Sequence, residues 1–382
     1  QGRGREKMKA LILSCNTGQG HNSCSAAIKE CFEAHGTVCD VTDALGFISQ
    51  GVSKFISKGH VFVYRHMPWL FRRGYRYSER HGEYFGEESL VYRLMARGAD
   101  GLYDFICREG YDTVICPHVF SALMLTELLK RHPGTVRSCF VDTDYVCHPG
   151  AAESALDLYF MPDASVMEGH EAEFDMTKVV ESGIPVRRPF YSSRPGAQAK
   201  RALGIPEDAA HLLVMCGSMG CGPMKRLTSC LAGLLTEKQY MTVVCGTNHA
   251  LKNWLDFRFE GRENIRILGY TQDISLLMDS ADLYLTKPGG ISTSEAAVKA
   301  LPMVLVDAVA GCEEYNMEYY VSAGLAVTAE GPRKLARLSA KLLGSRERLA
   351  RMQAAGRKLR SQNGAELIYS CMNNEKSEKQ KA

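Results

Sequence analysis

No Cys-x-x-Cys pair occurs in this chain of 382 residues, although it contains 14 cysteines. They are scattered through apolar stretches, Cys15, Cys39, Cys116, Cys139, Cys216 and Cys245 among them, rather than grouped. In a chain this large that scatter argues against a disulfide framework and against a zinc site. Reduced, mostly buried thiols are expected, with no metal and no cofactor. An excess of one charge is missing too. The 46 Lys and Arg against 43 Asp and Glu leave a net +3, too little to imply nucleic-acid binding by the chain as a whole. No apolar run approaches the length that spans a bilayer, and the polar start Gln1–Lys7 has no apolar stretch of signal-peptide type behind it. The expectation is a cytosolic protein.

What is present is a pair of glycine loops, each between an apolar strand and a helix start. The more informative runs Leu283-Tyr-Leu-Thr-Lys-Pro-Gly-Gly-Ile-Ser-Thr-Ser-Glu295. The apolar run stops at Thr286-Lys287-Pro288, two glycines follow, and Ser292, Thr293 and Ser294 are placed to cap a new helix. A strand, a turn without side chains and a helix N-terminus suit a diphosphate, because unpaired N–H groups and the positive end of the helix dipole face the anion. Glu295, one turn in, can accept hydrogen bonds from sugar or ribose hydroxyls. The segment matches neither the P-loop nor the dinucleotide fingerprint. Taken alone it reads equally as an ordinary strand-to-helix turn. The second loop, Leu11-Ile-Leu-Ser-Cys-Asn16-Thr-Gly18-Gln-Gly20-His21, leads into the helical Ser23–Ile28. One such loop near each end of the chain implies two α/β domains whose strand ends face one cleft, where ligands of such folds sit.

Length and patterning agree. The chain is long enough for two cores, and 45% apolar and 23% charged residues are ordinary for a globular protein. Short apolar strands are expected at Ala10–Ser14, Val38–Val41, Thr113–Cys116, Arg137–Val141 and Leu158–Met161. A second series is expected at Leu212–Met215, Met241–Val244, Ile265–Leu268, Leu283–Thr286, Met303–Val306 and Ala326–Val327. Helix-period segments such as Ser121–Arg131, Lys225–Thr236, Ile274–Ser280 and Thr293–Ala300 lie between them. That alternation predicts parallel, doubly wound sheets. The rhythm pauses at the Pro/Arg/Ser stretch Pro185–Gly196, read as a linker. The expected division is an N-terminal domain over 8–187 and a C-terminal domain over 197–364. Residues 365–382 read as a C-terminal tail, of which Asn373–Ala382 is polar with nothing to bury.

A helical insertion over about 46–101 breaks the pattern. Within it Lys58, Arg65, Arg72, Arg73, Arg76 and Arg80 interleave with Phe62, Tyr64, Trp69, Phe71, Tyr75 and Tyr77, against the single acid Glu79. Basic residues among amphipathic aromatics suit an anionic membrane surface, where each cation gains about 1 kcal/mol. Nucleic-acid stacking uses the same chemistry, and a helical cap with core aromatics and solvated arginines is the plain alternative. Membrane docking is the expectation carried forward.

Together these segments resemble the glycosyltransferases that make glycosyldiacylglycerols, of the monogalactosyldiacylglycerol synthase and processive diacylglycerol glucosyltransferase type. The peptidoglycan enzyme that adds N-acetylglucosamine to lipid I is a more distant likeness. The resemblance covers about Lys9 to Gly364. It rests on Asn16–His21, Asp142-Thr-Asp144 with His148, Val244-Cys-Gly246-Thr-Asn248, Leu268-Gly269-Tyr270, Lys287–Glu295 and Gly311-Cys-Glu313-Glu-Tyr-Asn316. Each motif is weak; their order and spacing are specific.

The resemblance implies the GT-B architecture: two Rossmann-like domains, acceptor on the first and nucleotide sugar on the second. It implies that Gly217, Ser218, Met219 and Gly220 face the phosphates, with Gly246 and Asn248 also in the donor site. Gly269 and Tyr270 would recognise uracil, and Glu295 would hold the ribose. Pro288, Gly289, Gly290, Ser292 and Thr293 would surround the leaving diphosphate in place of a metal. Cys312, Glu313 and Asn316 would lie at the transferred sugar. Asn16, Gly18, Gly20 and His148 are assigned to the acceptor side, with Arg65, Trp69, Phe71, Arg72, Arg73, Tyr75 and Arg76 at the membrane.

For inverting transfer a base must take the acceptor proton. His21 is the choice and Asp144 the rival; a cap or lipid-phosphate ligand is the other role open to His21. Plant members of the family carry aspartate where this chain has Asn16, which accepts no proton. The family usually has glutamine at Cys312, which leaves the hexose open. The expected activity is hexosyl transfer from UDP-glucose or UDP-galactose to diacylglycerol, at the cytosolic membrane face. Transfer to another amphiphilic acceptor, UDP-N-acetylglucosamine 2-epimerisation on the same fold, and a non-catalytic nucleotide-sugar sensor remain alternatives.

Overall fold

A computed structural model describes residues 8–15, 19–51, 53–54, 59, 67–218, 220, 222–306, 311–359 and 363–379. Asn16, Gly18, Arg65 and Met219 lie outside the described residues, as does the side chain of Phe71. The chain divides into two compact units, Gln1–Arg188 with Ala310–Cys312 and Ser361–Ala382, and Pro189–Val309 with Glu313–Arg360.

The first unit is built on six parallel strands: β1 Lys9–Ser14, β2 Val38–Asp43, β3 Thr113–Cys116, β4 Arg137–Val141, β5 Leu158–Met161 and β6 Val179–Glu181, in the order β2-β1-β3-β4-β5-β6. Near-continuous apolar runs make the inner strands: β3 is buried at every position, β1 at all but its first, as expected of a parallel sheet covered on both faces. Sequence expectation missed β6. It is three residues long and only partly buried, so it carries no apolar run to read. The helix Val119–Arg131 lies in the core, with Ala122, Leu123, Met124, Leu125 and Leu128 fully buried.

The second unit repeats the design with β7 Ala210–Met215, β8 Gln239–Val244, β9 Ile265–Leu268, β10 Leu283–Thr286, β11 Met303–Leu305 and β12 Ala326–Thr328. All are parallel, in the order β12-β11-β10-β7-β8-β9. Each sheet therefore reverses its winding once, between β1 and β3 in the first and between β7 and β10 in the second. Such a reversal opens a crevice at the carboxyl ends of the two strands.

Two expectations need correction. The segment read as a C-terminal tail is helical over Gly364–Lys379, and Ala365, Ile368 and Met372, ahead of its polar end, are buried in the first unit. Those three recur at helical spacing, with the partly buried Leu367, Tyr369 and Cys371 among them. The ring of Tyr369 meets Phe32 at 5.1 Å and stacks on His35 at 4.1 Å, while Arg137 donates to the Met372 carbonyl at 2.6 Å. Helix Gly290–Val298 also starts before its expected caps. Its N-cap is Gly289, and Thr293 turns its hydroxyl back onto the Gly289 and Gly290 carbonyls at 3.0 and 3.1 Å.

Candidate active site

At the first switch point, His21 lies in the first turns of helix Gln19–Ala34 after β1, and Pro117 follows β3. The His21 Nδ1 is 2.8 Å from the Pro117 carbonyl oxygen and 3.3 Å from the Thr143 hydroxyl. A proline carbonyl can only accept, so Nδ1 carries the proton and donates it there. The lone pair is then on Nε2. Ser14 and Asn22, bonded at 3.1 Å, tie the strand end to the same helix. His118 packs its ring edge-on to His21, centroids 4.7 Å apart, and accepts the Phe120 N–H on Nδ1 at 3.0 Å, capping its helix.

The loop after β4 completes this cluster. Asp142 is buried and takes the backbone N–H groups of Asp144 and His148, each at 3.3 Å. Burial, then the neighbouring Asp144 carboxylate, push its pKa up to about 8 against those bonds. His148 accepts the Gly150 N–H on Nδ1 at 3.1 Å. Burial, and His21 beside it, bring its pKa down to about 4, so it is neutral near pH 7. Asp144 is more open than Asp142. The structure thus brings His21, Thr143, His148 and the Asp142–Asp144 turn together. Pro117, His118 and Thr143 were missed because a carbonyl, a cap and a hydroxyl carry no motif.

Helix Pro68–Arg80, the basic part of the insertion, turns one side inward and one out. Trp69, Leu70 and Tyr77 are exposed, as are Arg73 and Arg76, whereas Arg72 is half-buried. Tyr75 points inward, its ring edge-on to His148 at 6.3 Å, and its buried hydroxyl has no hydrogen-bond partner among the described residues. Burial above all, with acidic groups including Asp144, Glu79 and Asp142, pushes that hydroxyl's pKa well up.

At the second switch point, Gly217 and Ser218 follow the end of β7, and Lys287 follows the end of β10. Gly217 has φ +71°, and a Cβ there would lie 2.8 Å from Lys287 Cε. The glycine is needed for the lysine stem as much as for the backbone turn. Gly246, at φ +57°, approaches so closely that a Cβ would sit 1.9 Å from the Ser218 carbonyl oxygen. Thr247 N–H donates to that oxygen at 2.8 Å. Asn248 caps helix His249–Arg258 by accepting the Leu251 N–H at 2.9 Å, and its amide reaches the Gly220 carbonyl at 3.4 Å. Gly246 and Asn248 therefore build the loop floor. Beside it a hollow of about 320 Å³ is lined by Gly220, Pro223, Lys225, Arg226, Asn248 and Leu251. Its two cations also went unnoticed in the sequence.

Beyond β10, the first N–H groups of helix Gly290–Val298 have no intrahelical acceptor by helix geometry. Glu295 and Thr293 are buried in that helix, and Ser292 is half-buried. Asn316, fully buried, donates to the Pro288 carbonyl at 3.0 Å and fixes the turn. Glu313, 4% exposed, pairs with Lys287 at 2.6 Å. Cys312 is half-buried. Gly269 sits beside Lys252 after β9, and Tyr270 is 70% exposed.

No disulfide joins the described cysteines. One group of metal-ligand type does occur among the described residues: Cys31, His35 and Glu366, one potential ligand atom each within 4.8 Å. The His35–Glu366 ion pair at 2.7 Å accounts for two members, and burial, with Glu366 beside it, pushes the Cys31 thiol up to about 12.

Residues 21–186 match the monogalactosyldiacylglycerol (MGDG) synthase domain, and residues 211–368 the glycosyltransferase family 28 C-terminal domain. The chain is 26% identical over 359 residues to a processive diacylglycerol beta-glucosyltransferase of Bacillus cytotoxicus, covering 91% of this chain and 88% of that protein. It is 26% identical over 372 residues to a probable chloroplastic monogalactosyldiacylglycerol synthase of Glycine max, covering 89% and 66%. Among solved structures, Acinetobacter baumannii MurG superposes with a TM-score of 0.66 at 12% identity, covering 96% of this chain and all of that one. The two Rossmann-like units are those of the GT-B fold.

Proposed function

Because this chain belongs to the glycosyldiacylglycerol synthase family of glycosyltransferases, we propose that it transfers a hexose from UDP-glucose or UDP-galactose to the free hydroxyl of diacylglycerol, with inversion. The second unit binds the donor. Its diphosphate lies against the turn at Gly289 and Gly290, where backbone N–H groups meet the charge that develops on the leaving group, a role a divalent ion fills in other enzymes. The first unit presents the lipid to His21. Nε2 takes the acceptor proton as the hydroxyl oxygen attacks the anomeric carbon, and the bond to the β-phosphate oxygen breaks with its electron pair leaving on UDP. The observation that carries this reading is the Nδ1–H bond of His21 to Pro117, which holds the basic nitrogen in one tautomer and one orientation.

Mass spectrometry of lipids after incubation with diacylglycerol and each UDP-sugar tests it, fixing donor, acceptor and number of transfers. A mono- or diglycosyl product with one of them is expected; none with either would end the reading. Deuterium entering C2 of UDP-N-acetylglucosamine in heavy water, without acceptor, would mark an epimerase instead.

Membrane docking belongs to the same proposal, at the cytosolic face of an anionic bilayer. No helix among the described residues is long and apolar enough to cross a membrane. The exposed Trp69, Arg73 and Arg76 on one helix supply the surface contact. Replacing Arg73 and Arg76 by glutamate is expected to weaken co-sedimentation with anionic vesicles by about tenfold or more, at about 1 kcal/mol per cation removed. Unchanged co-sedimentation would leave the helix a solvated face.

A further inference from the structure

Lys287 carries no role in the assignments above, yet it stands between both strand-end loops of the second switch point. Its stem passes over Gly217, where a Cβ would lie 2.8 Å from Cε and 3.9 Å from Nζ. At Gly289 a Cβ would lie 3.6 Å from Nζ and 3.8 Å from Glu313 Oε1. The ammonium therefore sits over the two turns that carry the diphosphate in the proposed function. Its partner there is the buried Glu313 carboxylate, at 2.6 Å. A carboxylate this close to the turn of Gly289 competes with a diphosphate oxygen for the same cation. Two anions cannot share that position, so one must give way.

We propose that Lys287 is the donor-diphosphate cation and that Glu313 is its resting partner. UDP-sugar binding exchanges the carboxylate for the β-phosphate, and the released Glu313 turns to the hydroxyls of the transferred sugar. During transfer Lys287 then neutralises the electron pair that stays on the β-phosphate oxygen when the anomeric C–O bond breaks. The acceptor oxygen forms the new bond and its proton goes to His21. The exchange couples donor binding to the group that reads the sugar, which accounts for burying an ion pair here: such a pair is a weak source of stability and serves better as a switch. The inference rests on the donor reading of this unit.

Calorimetry with UDP and UMP tests it. Lys287→Met alone leaves Glu313 buried and unpaired and risks the fold, so the double variant Lys287→Met with Glu313→Gln is the main probe, read beside Glu313→Gln. Because a buried charge-assisted contact is lost, the double variant is expected to bind UDP at least about tenfold more weakly, with UMP affinity little changed. Glu313→Gln keeps the cation and removes its competitor, so it is expected to hold UDP at least as tightly as the parent while KM and kcat for the UDP-sugar worsen. Parental UDP affinity in the double variant, or an equal loss of UDP in Glu313→Gln, would overturn the exchange and make the pair a strut. A parent protein that binds no UDP would instead sink the donor reading itself.

Discussion

At the first switch point three imidazoles and two carboxylates crowd around one loop, and two of these groups are displaced far from their ordinary titration. At the second there is no histidine or aspartate among the residues placed at the two turns; glycines, backbone groups and one ion pair make up the site. In the proposed function, proton handling and anion holding fall to different units. The second unit shows why a displaced pKa is not by itself a sign of function. His211 is brought down to about 4, as His148 is, chiefly by burial in both cases. Yet both ring nitrogens of His211 are taken, by Ser280 at 3.0 Å and Thr242 at 2.9 Å. His148 lies next to His21 and a half-open Asp144. What separates them is the neighbour, and only the second case offers chemistry.

The comparison is broken most directly by His21→Ala. Transfer is expected to fall by about 10²- to 10⁴-fold in kcat with UDP affinity unchanged. A kcat within threefold of the parent would return the base to Asp144, whose own variant would then carry the loss. Next comes Gly246→Ala, which forces a Cβ against the Ser218 carbonyl at positive φ. It should destabilise the second unit by about 3 kcal/mol in urea unfolding, with UDP binding lost as the loop shifts. An undisturbed unfolding midpoint would show that the two loops are not locked together.

The smallest signal is a slope. Asp142 has its folded pKa raised from 3.8 to about 8, so between those values the folded state holds a proton that the unfolded chain has lost. Its contribution to stability therefore falls as pH rises from about 4 to 8 and is level above that. Asp142→Asn cannot titrate. The difference in thermal midpoint, variant minus parent, should grow in the variant's favour across that window. A flat difference would mean that Asp142 is already ionised when folded, and the first site would look more like the second.

Much of this was legible locally. Expected strands matched observed ones to within a few residues at each end, because a parallel strand buried on both faces is written as a contiguous apolar run. The loop after β10 was visible as glycines between such a run and a helix. Ser292 and Thr293 were misread as caps because hydroxyl residues favour caps in general, whereas here two glycines let the helix begin at Gly290. The helix Gly364–Lys379 was missed because its apolar stretch, with Ala365, Ile368 and Met372 buried, is short and runs straight into the polar segment from Asn373. Lys287 was passed over since attention to the motif falls on its glycines, and a lysine after a strand is usually solvated.

From its own residues the chain determines two parallel α/β units, the Gly289–Gly290 turn in the second and a basic aromatic helix in the first. These follow from neighbours in sequence, where burial period and turn chemistry act. Only the tertiary structure decided that Pro117, 96 positions away, would lock the His21 proton, and that Glu313, 26 positions on, would hold Lys287. Such pairs depend on which strands lie side by side. Strand order is a non-local outcome of packing that no short stretch of sequence encodes.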